Sequence, residues 1–115
     1  MARMKLAELQ SNALRAAALL KSMSNPTRLL VLCQLSEGEK SVGRLERSVG
    51  VSQGALSQHL ALLRHQHIVT TRREGQTIYY SLAGREASVV LAALFEVFCK
   101  KAPKAQSRRL GTRTA

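Results

Sequence analysis

Apolar positions recur at three- and four-residue spacing through most of this chain, then alternate for one short stretch, and that change of period marks a hairpin. Leu6, Leu9, Ala13, Ala16, Ala17 and Leu20 keep the first spacing, which predicts an amphipathic first helix. Ser24-Asn25-Pro26 stops it and starts a second. Asn25 suits an N-cap, and Pro26 suits the first helical position, where its missing N–H would be unpaired anyway. The second helix, about 26–36, is apolar on most of its circumference through Leu29, Leu30, Val31, Leu32, Cys33 and Leu35, so it is expected to sit centrally. Ser41 opens a short third helix that ends at Gly50, a residue able to take the left-handed C-terminal conformation. Ser52 caps a fourth, which is expected to run to about His67.

The period then changes. Residues 68–73 and 77–82 are rich in β-branched and aromatic residues around Glu74-Gly75, and predict a hairpin. Ile78, Tyr80 and Leu82 are expected to point inward, with Thr77, Tyr79 and Ser81 outward. A last helix, from about Arg85 to Lys101, is ended by Pro103. The fold class is therefore mainly α with a small β-hairpin: five helices, the hairpin between the fourth and fifth. Residues 1–101 form one domain, and 102–115 a basic tail expected to be disordered.

Charge narrows the partner. The 115 residues hold 18 Lys and Arg against 7 acids, all of them Glu, for a formal net charge of +11. Such a balance points to a polyanion, either nucleic acid or an anionic membrane. Residues 100–115 carry six of the basic residues and no acid. The longest apolar run, Val89 to Phe95, is far short of the roughly 20 residues a membrane span needs. No charged start followed by an apolar core suggests a signal peptide. A cytoplasmic, bacterial protein is expected, and its two cysteines, Cys33 and Cys99, should rest reduced rather than as a permanent disulfide.

The fourth helix names the polyanion. At about 100° per residue, Ala55, Leu56, His59, Leu60, Leu62 and Leu63 gather on one side. Gln53, Gly54, Ser57, Gln58, Ala61, Arg64 and His65 take the other. Small and amide-bearing side chains are what a DNA major groove requires: Gln pairs bidentately with adenine, Ser donates or accepts, and Gly54 lets the backbone come close. Gly54 costs the helix roughly 1 kcal/mol relative to Ala, with no local return. A merely solvated polar face is the bland alternative, weakened by the helix before it and the basic hairpin after it. Arg72 and Arg73, near the hairpin tip, suit phosphate or minor-groove contact, which supplies affinity more than sequence choice. His59, on the apolar side, reads as a packed, hydrogen-bonded core residue. His65 and His67 do not share a face and read as surface residues rather than metal ligands.

With these elements in place, the chain resembles bacterial winged helix-turn-helix regulators of the ArsR/SmtB family over about residues 19–99. The specific segments are Ser24-Asn25-Pro26-Thr27-Arg28-Leu29, the run from Ser52 to Leu63, and Arg72-Arg73-Glu74-Gly75-Gln76-Thr77-Ile78-Tyr79-Tyr80. The resemblance implies a homodimer through the first and last helices that binds an inverted-repeat operator in double-stranded DNA and leaves it when an inducer arrives. Dimerisation also follows from residues 88–99, apolar almost all round, which one small core cannot cover.

Many members of that family sense metals or arsenicals through cysteines in the third helix, or through Asp, His and Glu in the last. Here the third helix has neither Cys nor His, and the last offers only Glu86, Glu96 and Cys99. A metal site is hard to assemble from these, and no cofactor is expected. One cysteine in the second helix and one in the last is similar to the dithiol branch, the biofilm-growth and sulfide-responsive repressors. That resemblance implies release from the operator when a persulfide, other reactive sulfur or an oxidant cross-links Cys33 and Cys99, through two sulfurs or more. Lys100 and Lys101 favour Cys99 as the attacking thiolate, while a helix C-terminus opposes it. Structural burial of Cys33 among leucines is the plain alternative. Two other functions stay open: a metal- or metalloid-responsive repressor, and a non-sensing structural DNA-binding protein. An enzyme is not expected, since no nucleophile–base–carboxylate set or glycine-rich phosphate loop is present.

Overall fold

The computed structural model describes residues 5–99. Its elements in chain order are α1 (Leu6–Met23), α2 (Pro26–Leu35), β1 (Lys40–Ser41), α3 (Val42–Val49), α4 (Gln53–His65), β2 (Val69–Glu74), β3 (Thr77–Leu82) and α5 (Glu86–Leu94), followed by a π-helical turn, Phe95–Cys99. Residues 100–101 and the tail 102–115 lie outside the described residues.

Three consecutive helices begin on the side chains the sequence nominates. Asn25 Oδ1 accepts from the Arg28 amide at 3.0 Å, Ser41 Oγ from Arg44 at 3.1 Å, and Ser52 Oγ from Ala55 at 3.2 Å. Each satisfies an otherwise orphaned N–H at a helix start, typically worth about 1 kcal/mol. Between α3 and α4, Gly50 sits at φ 76° and its N–H bonds to Glu46 O at 3.1 Å. That left-handed cap makes the turn of the helix–turn–helix, and a side chain there would be strained.

One core holds the helices and the sheet together. Val31, Leu32 and Leu35 of α2, Leu45 of α3, and Leu56, Leu60 and Leu63 of α4 are buried with Ile68, Val69, Tyr80, Ala87 and Leu91. The central place expected for α2 is therefore only half realised. Its Val31–Leu32–Leu35 side is inside, but Leu30 is 51% exposed and Cys33 also lies at the surface. Leu62 of α4 likewise faces outward, against expectation, at 39% exposure. It lies about 120° round the helix from Leu56, at the edge of the apolar arc.

The sheet has three strands in the order β1-β3-β2, all antiparallel. β2 and β3 form the expected hairpin, closed by the two-residue turn Gly75-Gln76 between the paired Glu74 and Thr77. Tyr80 is buried and Ile78 and Leu82 pack against the core, as the alternation predicts. β1 is an addition: Lys40 pairs with Tyr80 and Ser41 with Tyr79, tying the loop before α3 to the hairpin. Strand β2 starts one residue later than expected because Ile68 belongs to the end of α4. Ile68 N bonds to Leu63 O at 3.0 Å and His67 N to Arg64 O at 3.0 Å. This is a Schellman closure, with His67 at φ 60° where glycine is usual. Past Leu94 the expected last helix changes to π geometry, which continues to Cys99. No helix among the described residues is long and apolar enough to cross a membrane.

Candidate nucleic-acid interface

Helix α4 presents its polar side as one continuous exposed surface. Gln53, Gly54, Ser57, Gln58, Ala61, Arg64 and His65 are all exposed, while Leu56, Leu60 and Leu63 on the other side are buried. Successive angles of 100° place the outer set within an arc of about 140°, on a rod about 20 Å long. A B-DNA major groove about 12 Å wide admits such a rod. The Cβ that Gly54 lacks would meet nothing within 4 Å, so no neighbour in this chain requires glycine there. The absent side chain leaves the first turn of α4 open to close approach from outside.

Arg28, within the Ser24–Leu29 segment, ties α4 to the end of α1. Its Nε donates to Ser22 O at 2.6 Å and its Nη2 to Lys21 O at 3.5 Å, so it satisfies carbonyls at the end of α1. Its Nη1 lies 3.3 Å from His59 Nδ1 on α4. A guanidinium can only donate, so Nδ1 accepts and the ring N–H sits on Nε2. His59 is thus half-buried and hydrogen-bonded, as its place on the apolar side suggests. A lone arginine in the first turn of an otherwise apolar α2 was the available signal.

The hairpin arginines part company. Across the β2–β3 ladder, Arg72 is opposite Tyr79 and Arg73 opposite Ile78, so they lie on opposite faces of the wing. Arg73 is exposed, on the face that carries Ile78 and Tyr80, and has no carboxylate partner among the described residues. Arg72 is occupied. Its Nε and Nη2 each donate to Glu39 at 2.8 Å, its Nη1 donates to Glu74 at 2.9 Å, and its guanidinium lies 4.5 Å from the centroid of the Tyr79 ring. Ser81 Oγ is 3.5 Å from the same Glu39 carboxylate. The hydrogen bonds from Arg72 hold Glu39 below its ordinary carboxylate value, and Glu39 in turn raises Arg72 further.

Cys33 is exposed on the last full turn of α2, and its carbonyl accepts from Ser36 Oγ at 2.6 Å. Cys99 closes the π-helical turn after α5. Among the described residues no three of His, Cys, Asp and Glu come together as a metal ion would require.

Comparison with known proteins agrees with this geometry. Residues 25–71 match the family model described as "Bacterial regulatory protein, arsR family". The transcriptional activator HlyU of Vibrio cholerae is 43% identical over 97 residues, 84% of this chain and 90% of that protein. A biofilm growth-associated repressor of Xylella fastidiosa is 42% identical over 98 residues, 85% of this chain and 86% of that one. The solved structure of reduced HlyU from Vibrio cholerae superposes with a TM-score of 0.78, at 43% identity, over 83% of this chain and all of that one. The chain belongs to the arsR family of bacterial regulatory proteins, and is a winged helix-turn-helix DNA-binding transcriptional regulator rather than an enzyme.

Proposed function

We propose that the protein is a cytoplasmic homodimeric repressor that binds an inverted-repeat operator and leaves it when Cys33 and Cys99 become cross-linked. The observation that carries the DNA part is the uninterrupted exposed arc of α4. Gln53, Ser57 and Gln58 read base edges in the major groove, Gly54 admits the backbone, and Arg64 and Arg73 take phosphates. Pairing of two copies sets two such helices about one DNA turn, roughly 34 Å, apart.

Support for the dimer lies on α1, on α5 and on the π-helical turn after α5. Leu14, Val97 and Phe98 are 74%, 71% and 77% exposed. Between the two helices runs an open crevice of about 770 Å³, lined in part by Ala16, Leu19, Ala87 and Val90. Apolar surface of this extent is costly in water and marks a surface made to be covered.

Support for the thiol part is the exposure of Cys33, which sets aside its reading as a buried hydrophobe. A persulfide RSSH passes its outer sulfur to one thiolate, giving Cys–SSH and releasing RS⁻. The second thiolate then attacks the inner sulfur of that group, forming the Cys33–Cys99 disulfide and expelling HS⁻, which carries away the electron pair. Uptake of another sulfur first gives a longer bridge. Either bridge fixes α2 to the π-helical turn after α5 and shifts the half-site spacing. Intact mass spectrometry of persulfide-treated protein, alongside operator titration, tests the proposal. Loss of two hydrogens, or gain of bridging sulfur, should accompany release of DNA. Release by zinc or arsenite, with no response to persulfide, would overturn the thiol mechanism.

A further inference from the structure

We propose that Arg72 is a positioning residue of the wing and not a DNA contact: with Glu39 it forms a clamp that sets the angle between the hairpin and the helix–turn–helix. The inference rests on the reading of the wing as a DNA-contacting element.

Three observations lead to it. First, every nitrogen of the guanidinium already donates to a carboxylate, three of its five N–H groups in all, so the two negative charges beside it oppose an incoming phosphate. Nε and Nη2 form a two-pronged contact with one carboxylate, Nη1 engages Glu74, and the plane covers Tyr79. Bidentate arginine–carboxylate geometry is directional, so it fixes orientation as well as distance. Second, the partners come from separate parts of the chain. Glu39 lies in the link between α2 and α3, whereas Arg72, Glu74 and Tyr79 belong to the hairpin. The next two residues after Glu39, Lys40 and Ser41, pair with Tyr80 and Tyr79, and Ser41 caps α3. The clamp and this short strand therefore lock the start of the helix–turn–helix to the wing. Third, strand alternation turns Arg72 away from the face that carries Arg73, Ile78 and Tyr80. Arg73 is the hairpin cation left for DNA.

The same clamp stands at the exit of α2, whose last turn bears Cys33. A displacement of that helix end by cross-linking is passed through Glu39 to Arg72, so the wing moves along with the helices. The lowered Glu39 carboxylate agrees with a contact made in the charged form.

The roles of contact and clamp separate experimentally. The probe is a duplex selected from a random-sequence pool by the wild-type protein, titrated at several salt concentrations. Glu39→Gln and Arg72→Lys should each weaken binding about fivefold or more, a typical coupling magnitude. The double variant should lose little beyond either one, and the dependence of log affinity on log salt should keep its wild-type slope. Lysine keeps the charge but not the fork. If Arg72 touched phosphate, Arg72→Lys would bind nearly normally, Arg72→Gln would flatten the slope by about one contact, and Glu39→Gln would tighten binding. That pattern overturns the clamp. A second readout needs no DNA: amide exchange at Lys40, Ser41, Tyr79 and Tyr80 should accelerate in Glu39→Gln, and unchanged exchange also overturns it. Should the wild-type protein select no duplex, the DNA reading fails, while the exchange result still decides the clamp.

Discussion

Arg28 and His59, 31 residues apart, meet at 3.3 Å between Nη1 and Nδ1, and through this contact the end of α1 is fastened to the groove-facing helix. The same guanidinium binds the Ser22 carbonyl at 2.6 Å. Arg28→Ala leaves that carbonyl and the imidazole nitrogen without their donor, and should destabilise the fold by about 1–3 kcal/mol. Arg28→Lys should recover little, because one ammonium cannot span both acceptors. Urea unfolding checks this; a loss below about 0.5 kcal/mol would show the bridge to be ornamental.

Gln58 and Arg73 should fail in different ways. Gln58→Ala is expected to lose about 1–3 kcal/mol of discrimination at one base pair while changing random-sequence binding little. Arg73→Ala should weaken every duplex about equally and lower the salt slope by about one. Competition between a selected and a scrambled duplex distinguishes the two, and identical profiles would contradict the assignments.

Serine in place of either cysteine should preserve DNA binding and abolish release by persulfide. Because Cys33 is exposed, Cys33→Ser removes little packing and should leave the melting temperature nearly unchanged. Normal release in either variant would show that the two thiols are not the sensor.

At the end of α4, His67 holds φ 60° in a position that favours glycine. His67→Gly relieves a left-handed cost of about 1–2 kcal/mol and adds back about 0.5–1 kcal/mol of chain entropy lost on folding. The net expectation is a gain of up to about 1 kcal/mol, read from chemical denaturation. A less stable variant would mean that the imidazole makes a contribution of its own.

Acid should loosen the wing. The Glu39 carboxylate is depressed chiefly by the hydrogen bonds from Arg72, which desolvation partly opposes, and further by the Arg72 charge and Ser81. Glu74 shares the same arginine. Because the folded-state value lies below the unfolded one, the contribution is fully present above the ordinary carboxylate range. It is lost as pH falls through the depressed value. The Tyr79 ring resonances, followed by NMR, should shift with a midpoint below that of an ordinary glutamate. A midpoint at the ordinary value would show that the clamp does not hold in solution.

The helices were legible because their ends carry explicit chemistry. Asn25-Pro26, Ser41, Gly50 and Ser52 are each a start or stop with a backbone bond to satisfy. The alternation of residues 77–82 likewise revealed which side of the hairpin is inside. Strand β1 was not legible, since two residues have no period and the pairing with Tyr79 and Tyr80 exists only once the hairpin has folded back. Leu62 lies at the margin of the apolar arc of α4, and Cys33 lies about 100° or more round α2 from the buried Val31, Leu32 and Leu35, so an apolar neighbourhood in sequence did not translate into burial for either. Arg72 and Arg73 looked equivalent as neighbours in a basic tip. Alternation alone separates their faces, but only the distant Glu39 shows which of them is already occupied.

The Schellman closure leaves only Gln66, His67 and Ile68 between the groove-facing rod and the wing. With Ile68 bonded back to Leu63 and its side chain buried, this joint behaves as a weld. Re-engineering the sequence preference on this scaffold can therefore exchange the outward side chains of 53–64 one by one, with the second point of grip on the duplex arriving in register each time. An insertion of even one residue at the joint would instead dephase the two grips, and no choice of base-reading side chain would restore them.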